Sequence, residues 1–185
     1  MSRTEIRVSG FGGQGIILSG KVIGMAAAIY EGKQATFNQS YGPEARGSAC
    51  SSQIVVSDEL IHYPYVSHSN ILVAMSQEAY TKFEPELAKD GLLLIEEDLV
   101  KVKNGVRDQI KQYAVPATRL AEKLGRKIVA NIVMLGFFTA MADIFKKESM
   151  EQAMLSSVPK GTEELNMNAF NAGYDYGMKL RKKKD

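Results

Sequence analysis

The chain has 185 residues, 45% of them hydrophobic and 24% charged, with a formal charge of +2 at neutral pH. That length suits one domain with an apolar core, and the balance excludes a disordered or fibrous chain. Arg181, Lys182, Lys183 and Lys184 against Asp185 leave 19 basic and 20 acidic side chains elsewhere, so the body of the sequence carries no excess of base for nucleic acid.

Residues 6–9 form a β-rich run that ends in a glycine cluster, and residues 16–30 follow as a helix that Gly32 is placed to stop. Residues 35–38 read as a second strand, 39–48 as a loop rich in Gly, Pro and polar groups, 52–56 as a third strand and 61–65 as an extended return. The continuous apolar run 71–75 predicts a strand covered on both faces. A helix is expected over 77–89, bent or divided by Pro85, and a further buried strand over 92–95. Residues 113–115 make a brief strand, and Pro116 opens a helix over 117–124. The stretch 131–144 is apolar nearly all round and predicts a buried helix; helical stretches over 150–157 and 163–180 complete the chain. Strands alternating with helices imply an α/β fold: three layers, a mainly parallel sheet with helices on both faces, Rossmann-like, in a single domain over residues 1–185.

Cys50 is the only cysteine, so the chain makes no internal disulfide and cannot supply the four thiolates of an iron–sulfur cluster. It reads as a small half-buried residue, and His62 and His68 as ordinary loop or strand-edge residues with no metal. The opening Met1-Ser-Arg-Thr-Glu-Ile lacks the pattern of a signal peptide, and the longest apolar stretch, 128–141, is too short to span a bilayer. A cytoplasmic location is expected.

Gly10-Phe11-Gly12-Gly13-Gln14-Gly15 lies between an expected strand and an expected helix. Glycines there permit a tight turn, and a helix start offers free N–H groups and a partial positive charge to a phosphate. Gln14 adds an amide that both donates and accepts. A nicotinamide site needs a carboxylate at the end of the second strand, where this chain has Asn38-Gln39-Ser40, and no Walker-type Lys-Ser or Lys-Thr follows the glycines. A plain strand-to-helix turn without ligand is the other reading. In Ser40-Tyr41-Gly42-Pro43-Glu44-Ala45-Arg46-Gly47, Arg46 offers a planar fork for phosphate or carboxylate, with Glu44 to hold it; a surface turn with a weak ion pair is the alternative. Asn131 is open to two readings, a helix cap or a contact with a partner.

Together these stretches resemble the gamma subunits of 2-oxoacid:ferredoxin oxidoreductases, which are similar to the third domain of single-chain pyruvate:ferredoxin oxidoreductases. The matching residues are GFGGQG at 10–15 and SYGPEARG at 40–47, with YPYV at 63–66, LVAMSQ at 72–77, Asn131 and Leu135-Gly136 in the same order. The chain departs from the usual pattern at Ser48 and over Ser67-His68-Ser69-Asn70. The resemblance implies a subunit of an enzyme that converts a 2-oxoacid and coenzyme A to acyl-coenzyme A and carbon dioxide while reducing ferredoxin, with a lean to the 2-oxoglutarate and branched-chain types. It implies alpha, beta and ferredoxin-like delta partners, which hold thiamine diphosphate, magnesium and the iron–sulfur clusters, and neither nucleic acid nor membrane as partner. This chain's share would be coenzyme A binding and subunit packing. Gly10, Gly12, Gly13, Gln14 and Gly15 would form the phosphate-facing loop, and Ser40, Tyr41, Gly42, Pro43, Glu44, Arg46 and Gly47 the neighbouring loop, with no catalytic residue. A purely structural subunit and an independent dinucleotide-binding oxidoreductase are the alternatives.

Overall fold

Alternation along the first strand sets up two different faces. In β1 (Thr4–Phe11) Ile6 and Val8 point into the main core while Arg7 and Ser9 point the other way. The structure is a computed structural model and describes residues 3–40, 49–103 and 110–183. Six strands, β1, β2 (Gln34–Ser40), β3 (Ala49–Ser57), β4 (Ser69–Ala74), β5 (Leu87–Glu96) and β6 (Lys111–Val115), form one sheet in the order β2-β3-β1-β4-β5-β6. Pairings from β1 through β4 and β5 to β6 are parallel, whereas β3 runs antiparallel to both β1 and β2. The mainly parallel expectation holds for β1, β4, β5 and β6. The antiparallel β3 has a simple cause: a parallel return needs a dozen or more residues, and only residues 41–48 join β2 to β3. The third strand therefore folds back beside the second and slides between it and β1.

Helices cover both faces unequally. On one side α1 (Ile16–Met25), α3 (Ala117–Lys123), α4 (Ala130–Ala142), α5 (Lys147–Leu155) and α6 (Glu163–Lys182) share a core with Ile6, Val8, Ile54, Ile71, Val73 and Leu94. On the other side α2 (Gln77–Phe83) lays Ala79, Tyr80 and Phe83 against Leu72, Leu93 and Ile95. Helix α1 continues through one π turn, Ala26–Tyr30, and the chain turns at Gly32 with φ 66°. The expected helix over 77–89 is shorter: Pro85 lacks an N–H and sits in a 3-10 turn, Glu84–Glu86, after which Leu87 already begins β5. The expected extended return over 61–65 is not a strand. There Pro64 cannot donate, and its carbonyl accepts from the side chains of Thr36 (2.9 Å) and Asn38 (2.8 Å) instead of entering a ladder. Among the described residues no helix is long and apolar enough to cross a membrane.

Polar groups inside the sheet are matched to particular neighbours. The Glu5 carboxylate accepts the N–H groups of Ser67 (2.6 Å) and His68 (3.1 Å), and Asn70 Oδ1 accepts the Glu5 N–H at 2.8 Å. These bonds give three of the four residues over 67–70 a structural task. Arg7, 4% exposed, ties β1 to the end of α2 by an ion pair with Glu86 (2.6 Å) and by lying 4.6 Å over the Phe83 ring.

Candidate functional site

The carboxyl ends of β1, β4, β5 and β6 share one edge of the sheet, the edge at which open α/β sheets bind ligands. Residues 10–15 leave the end of β1 and turn into α1. Gly15 caps that helix in the left-handed region at φ 71°, and a Cβ there would also overlap the Asn131 side chain. Gly10 is needed for space: a Cβ would lie 2.5 Å from Gln14 Oε1 and 2.7 Å from the Ile16 Cδ1 methyl. Over Gly12 and Gly13 the loop is exposed, with nothing within 4 Å of an added Cβ. No side chain caps α1 and no acid lies in its first turn, so its first amide hydrogens and partial positive charge face that open loop.

Gln14 both accepts and donates, and its partners are groups of the protein itself. Its Oε1 accepts the Phe11 N–H at 2.7 Å and its Nε2 donates to the Met75 carbonyl at 3.1 Å, so it fastens the loop to the end of β4. Asn131 does not cap a helix. It sits in the first turn of α4, 4% exposed, and its Nδ2 points at the Gly15 carbonyl at 3.5 Å. That carbonyl also accepts from the Ser19 N–H (2.9 Å) and Ser19 Oγ (3.1 Å).

Of the second stretch, Ser40 alone is described; it is exposed at the end of β2. Tyr41, Gly42, Pro43, Glu44, Arg46 and Gly47 lie outside the described residues. The register fixes where that stretch leaves and rejoins the sheet. Ser40 is opposite Ser51, Ser51 is opposite Ser9, and Ala49 is opposite Phe11. Both of its anchors are thus level with the start of the glycine loop.

A cavity of about 180 Å³ opens beside this loop, walled by Gly13, Gln14, Met75, Leu99, Thr118 and the first turn of α4. Its position was not legible in the sequence, because its walls come from five separate connections. The buried Glu96 (0% exposed) holds two of those connections together. One carboxylate oxygen accepts the N–H groups of Asp98 and Leu99, both at 2.8 Å, and the other that of Thr118 at 3.0 Å. A larger concavity of about 860 Å³ lies at the opposite edge, lined by Arg3, Glu5 and residues of 57–67, and shares no residue with the glycine loop. The parallel strand ends and the glycine loop, not volume, distinguish the smaller cavity. No group of three or more His, Cys, Asp and Glu side chains suited to a metal occurs among the described residues.

Cys50 pairs in register with Gly10 and is 5% exposed. Burial pushes its thiol up from the ordinary value, so the protonated form is favoured in the fold. The folded pKa exceeding the unfolded one means that this contribution to stability is full below the ordinary thiol range and is lost as pH rises through it. We expect the urea midpoint of the native chain, relative to Cys50→Ala, to fall on going from pH 8 to about 10. A flat difference would show that the thiol does not feel its burial.

The family described as pyruvate ferredoxin/flavodoxin oxidoreductase matches residues 5–176. The 2-oxoglutarate synthase subunit KorC of Methanocaldococcus jannaschii is 51% identical over 179 residues, covering 96% of each chain. The gamma subunit of the keto/oxoacid ferredoxin oxidoreductase of Geobacter sulfurreducens superposes with a TM-score of 0.84 at 42% identity, over 95% of this chain and 99% of that one. The 2-oxoglutarate:ferredoxin oxidoreductase of Magnetococcus marinus, solved with 2-oxoglutarate, coenzyme A and succinyl-CoA, shares the fold at a TM-score of 0.85 and 20% identity, over 97% of this chain and 32% of that chain.

Proposed function

This chain belongs to the pyruvate ferredoxin/flavodoxin oxidoreductase family, and from that premise we propose that it is the gamma subunit of a 2-oxoacid:ferredoxin oxidoreductase of the 2-oxoglutarate type, in which it binds part of coenzyme A and packs against partner subunits. Similarity to KorC over nearly the whole of both chains supports the assignment to that enzyme class. The observation that carries the binding role is the strand register, which sets the anchors of residues 41–48 level with an uncapped helix start and an open glycine turn. An anionic carrier suits that edge: amide hydrogens and the α1 dipole face it from Gly12 to Gly15, and no acid stands in the first turn. Gly10, Gly15 and Gln14 shape the turn, and Gly12 and Gly13 lie nearest the phosphates. Ser40 and Tyr41 to Gly47 supply the second wall, with Arg46 as the fork for a phosphate and Glu44 as its support.

The chain contributes no group for the bond-making steps. Thiamine diphosphate with magnesium would supply the decarboxylation chemistry and iron–sulfur clusters the path to ferredoxin; one cysteine cannot hold a cluster, so the clusters are assigned to partner subunits, and the thiamine diphosphate is assigned there with them on the family resemblance. An independent dinucleotide enzyme is disfavoured by topology. The place beside β1 that a Rossmann second strand takes is filled by the antiparallel β3, and no acid ends β2 to hold a ribose.

The test is Arg46→Ala in the co-purified complex. Loss of one charge-assisted phosphate contact predicts a KM for coenzyme A roughly 10-fold to 100-fold higher, with the KM for the 2-oxoacid unchanged. An unaltered dependence on coenzyme A would remove Arg46 from the site.

A further inference from the structure

We propose that the loop Tyr63-Pro64-Tyr65 and the concavity beside it are the face by which this chain docks on a different subunit of the oxidoreductase. The occupant is a segment of that subunit bearing an arginine or lysine between apolar side chains; this rests on the subunit reading above. The loop joins no strand ladder, yet side chains from β1, β2 and β3, together with Arg3, hold its backbone at successive positions. The Arg3 guanidinium donates to the carbonyls of Tyr63 (2.7 Å) and Tyr65 (3.0 Å), and Thr36 and Asn38 donate to the Pro64 carbonyl between them. Gln53 Oε1 then accepts the Val66 N–H at 3.1 Å, and Glu5 accepts those of Ser67 and His68. The backbone is fixed and the rings are left outside. Tyr63 is 55% and Tyr65 50% exposed, packed edge to face with centroids 5.6 Å apart. Leu60, 69% exposed, lines the same concavity as Tyr63. Aromatic rings held on an ordered backbone lose little freedom on association, which is the property that anchors of protein interfaces share.

Charge identifies the occupant. Arg3 is committed to two carbonyls and to its ion pair with Glu5 at 2.9 Å, so its charge is balanced within the wall. Asp58 and Glu59 stand in the same concavity and leave it acidic. Carboxylates beside the face of a tyrosine ring attract a cation, and a guanidinium or ammonium satisfies both at once. A second copy meeting this face across a two-fold axis brings the same acids against them and is repelled. A different subunit with a basic side chain meets the opposite sign. At about 860 Å³ the concavity takes several side chains, so apolar neighbours of the cation can cover Leu60 and Tyr63. It lies at the start of β1 and the end of β3, away from the glycine loop, so docking there leaves the ligand-binding edge of the sheet open.

The experiment mixes the full-length chain with the other subunits, purified together without it, and measures the Kd of reassembly at several salt concentrations. Tyr63→Ser and Tyr65→Ser are each expected to raise that Kd roughly 30-fold, the scale of one anchoring side chain. Glu59→Lys should raise it about 10-fold and make its dependence on salt shallower. The urea midpoint of each free variant stays close to the native one, because the bonds that hold the loop run through its backbone and through other side chains. In the assembled enzyme, Tyr63→benzoylphenylalanine should photocrosslink to a segment of another subunit that contains an arginine or lysine. A crosslink between two copies of this chain, or none at all, would overturn the assignment. Variants that reassemble with the native Kd remove the docking face and leave the subunit reading standing, whereas a native chain that does not join those subunits at all removes both.

Discussion

Gly173→Ala is expected to lower the free energy of unfolding by about 3 kcal/mol, a large loss for the addition of one methyl group. Helices α4 and α6 meet backbone to backbone at Gly136 and Gly173. A Cβ on Gly173 would overlap the Val133 carbonyl, and one on Gly136 would overlap the Phe170 carbonyl, so each glycine faces the backbone of the other helix. Backbone carbonyls cannot swing aside as a flexible side chain can. The helices must separate, and the contacts around Phe137, Ala169 and Phe170, all fully buried, loosen together. The same mechanism gives a second expectation. Once one methyl has forced the helices apart, the second meets less resistance, so Gly136→Ala with Gly173→Ala should cost clearly less than the sum of the singles. Gly12→Ala is the control, because nothing lies within 4 Å of its added Cβ; its change should stay within about 0.5 kcal/mol. Urea unfolding of the four variants beside the native chain measures all of this. A Gly173→Ala protein as stable as the control would mean that the crossing is not as close as the structure has it.

Glu96→Ala is the second large effect, with a loss of about 4 kcal/mol. The carboxylate is fully buried and takes three backbone N–H groups, those of Asp98, Leu99 and Thr118, at 2.8–3.0 Å. Its removal leaves the N–H groups of Asp98 and Thr118 without that acceptor and the Leu99 N–H with only the longer bond to the Glu96 carbonyl at 3.4 Å, and a donor left alone costs about 1–3 kcal/mol, least where water reaches it. Water entering the vacated space returns part of that. Glu96→Gln keeps one acceptor oxygen but turns an NH₂ toward a donor, and we expect roughly half the loss. Hydrogen exchange separates this from general softening: the amides of residues 98, 99 and 118 should lose protection first in Glu96→Gln. Retained protection at those three amides would mean they have other acceptors. The effect reaches the site as well, since Leu99 and Thr118 both wall the cavity beside the glycine loop. Glu96 is thus a positioning residue, acting through the connections that it ties.

How the Gly136 position reads shows what a sequence offers and withholds. Leu135-Gly136 belongs to the pattern by which the chain resembles its family, yet nothing local explains a glycine in the middle of an apolar helix. The explanation lies in Phe170, on another helix. Asn131 is similar. From the sequence it stood between a cap and a partner contact, and it proves to meet Gly15, 116 residues away in the chain. Gln14 read as an amide able to donate and accept, and its acceptor could not be read because Met75, just past β4, lies 61 residues away in the chain.

Local physics determined a good deal of this protein without the structure. Glycines between a β-rich run and a helix marked the turn at 10–15, continuous apolar runs marked β4 and the end of β5, and an apolar stretch with no polar face marked α4 as a buried helix. Each of these follows from residues near one another in the chain, where side-chain period and backbone preference act directly. The tertiary structure alone decided that β3 lies antiparallel between β1 and β2, that Glu96 joins two connections, and that the glycine loop has a cavity at its side. Those outcomes depend on which elements meet, and a buried polar group or a close helix crossing is stable only against its specific distant partner.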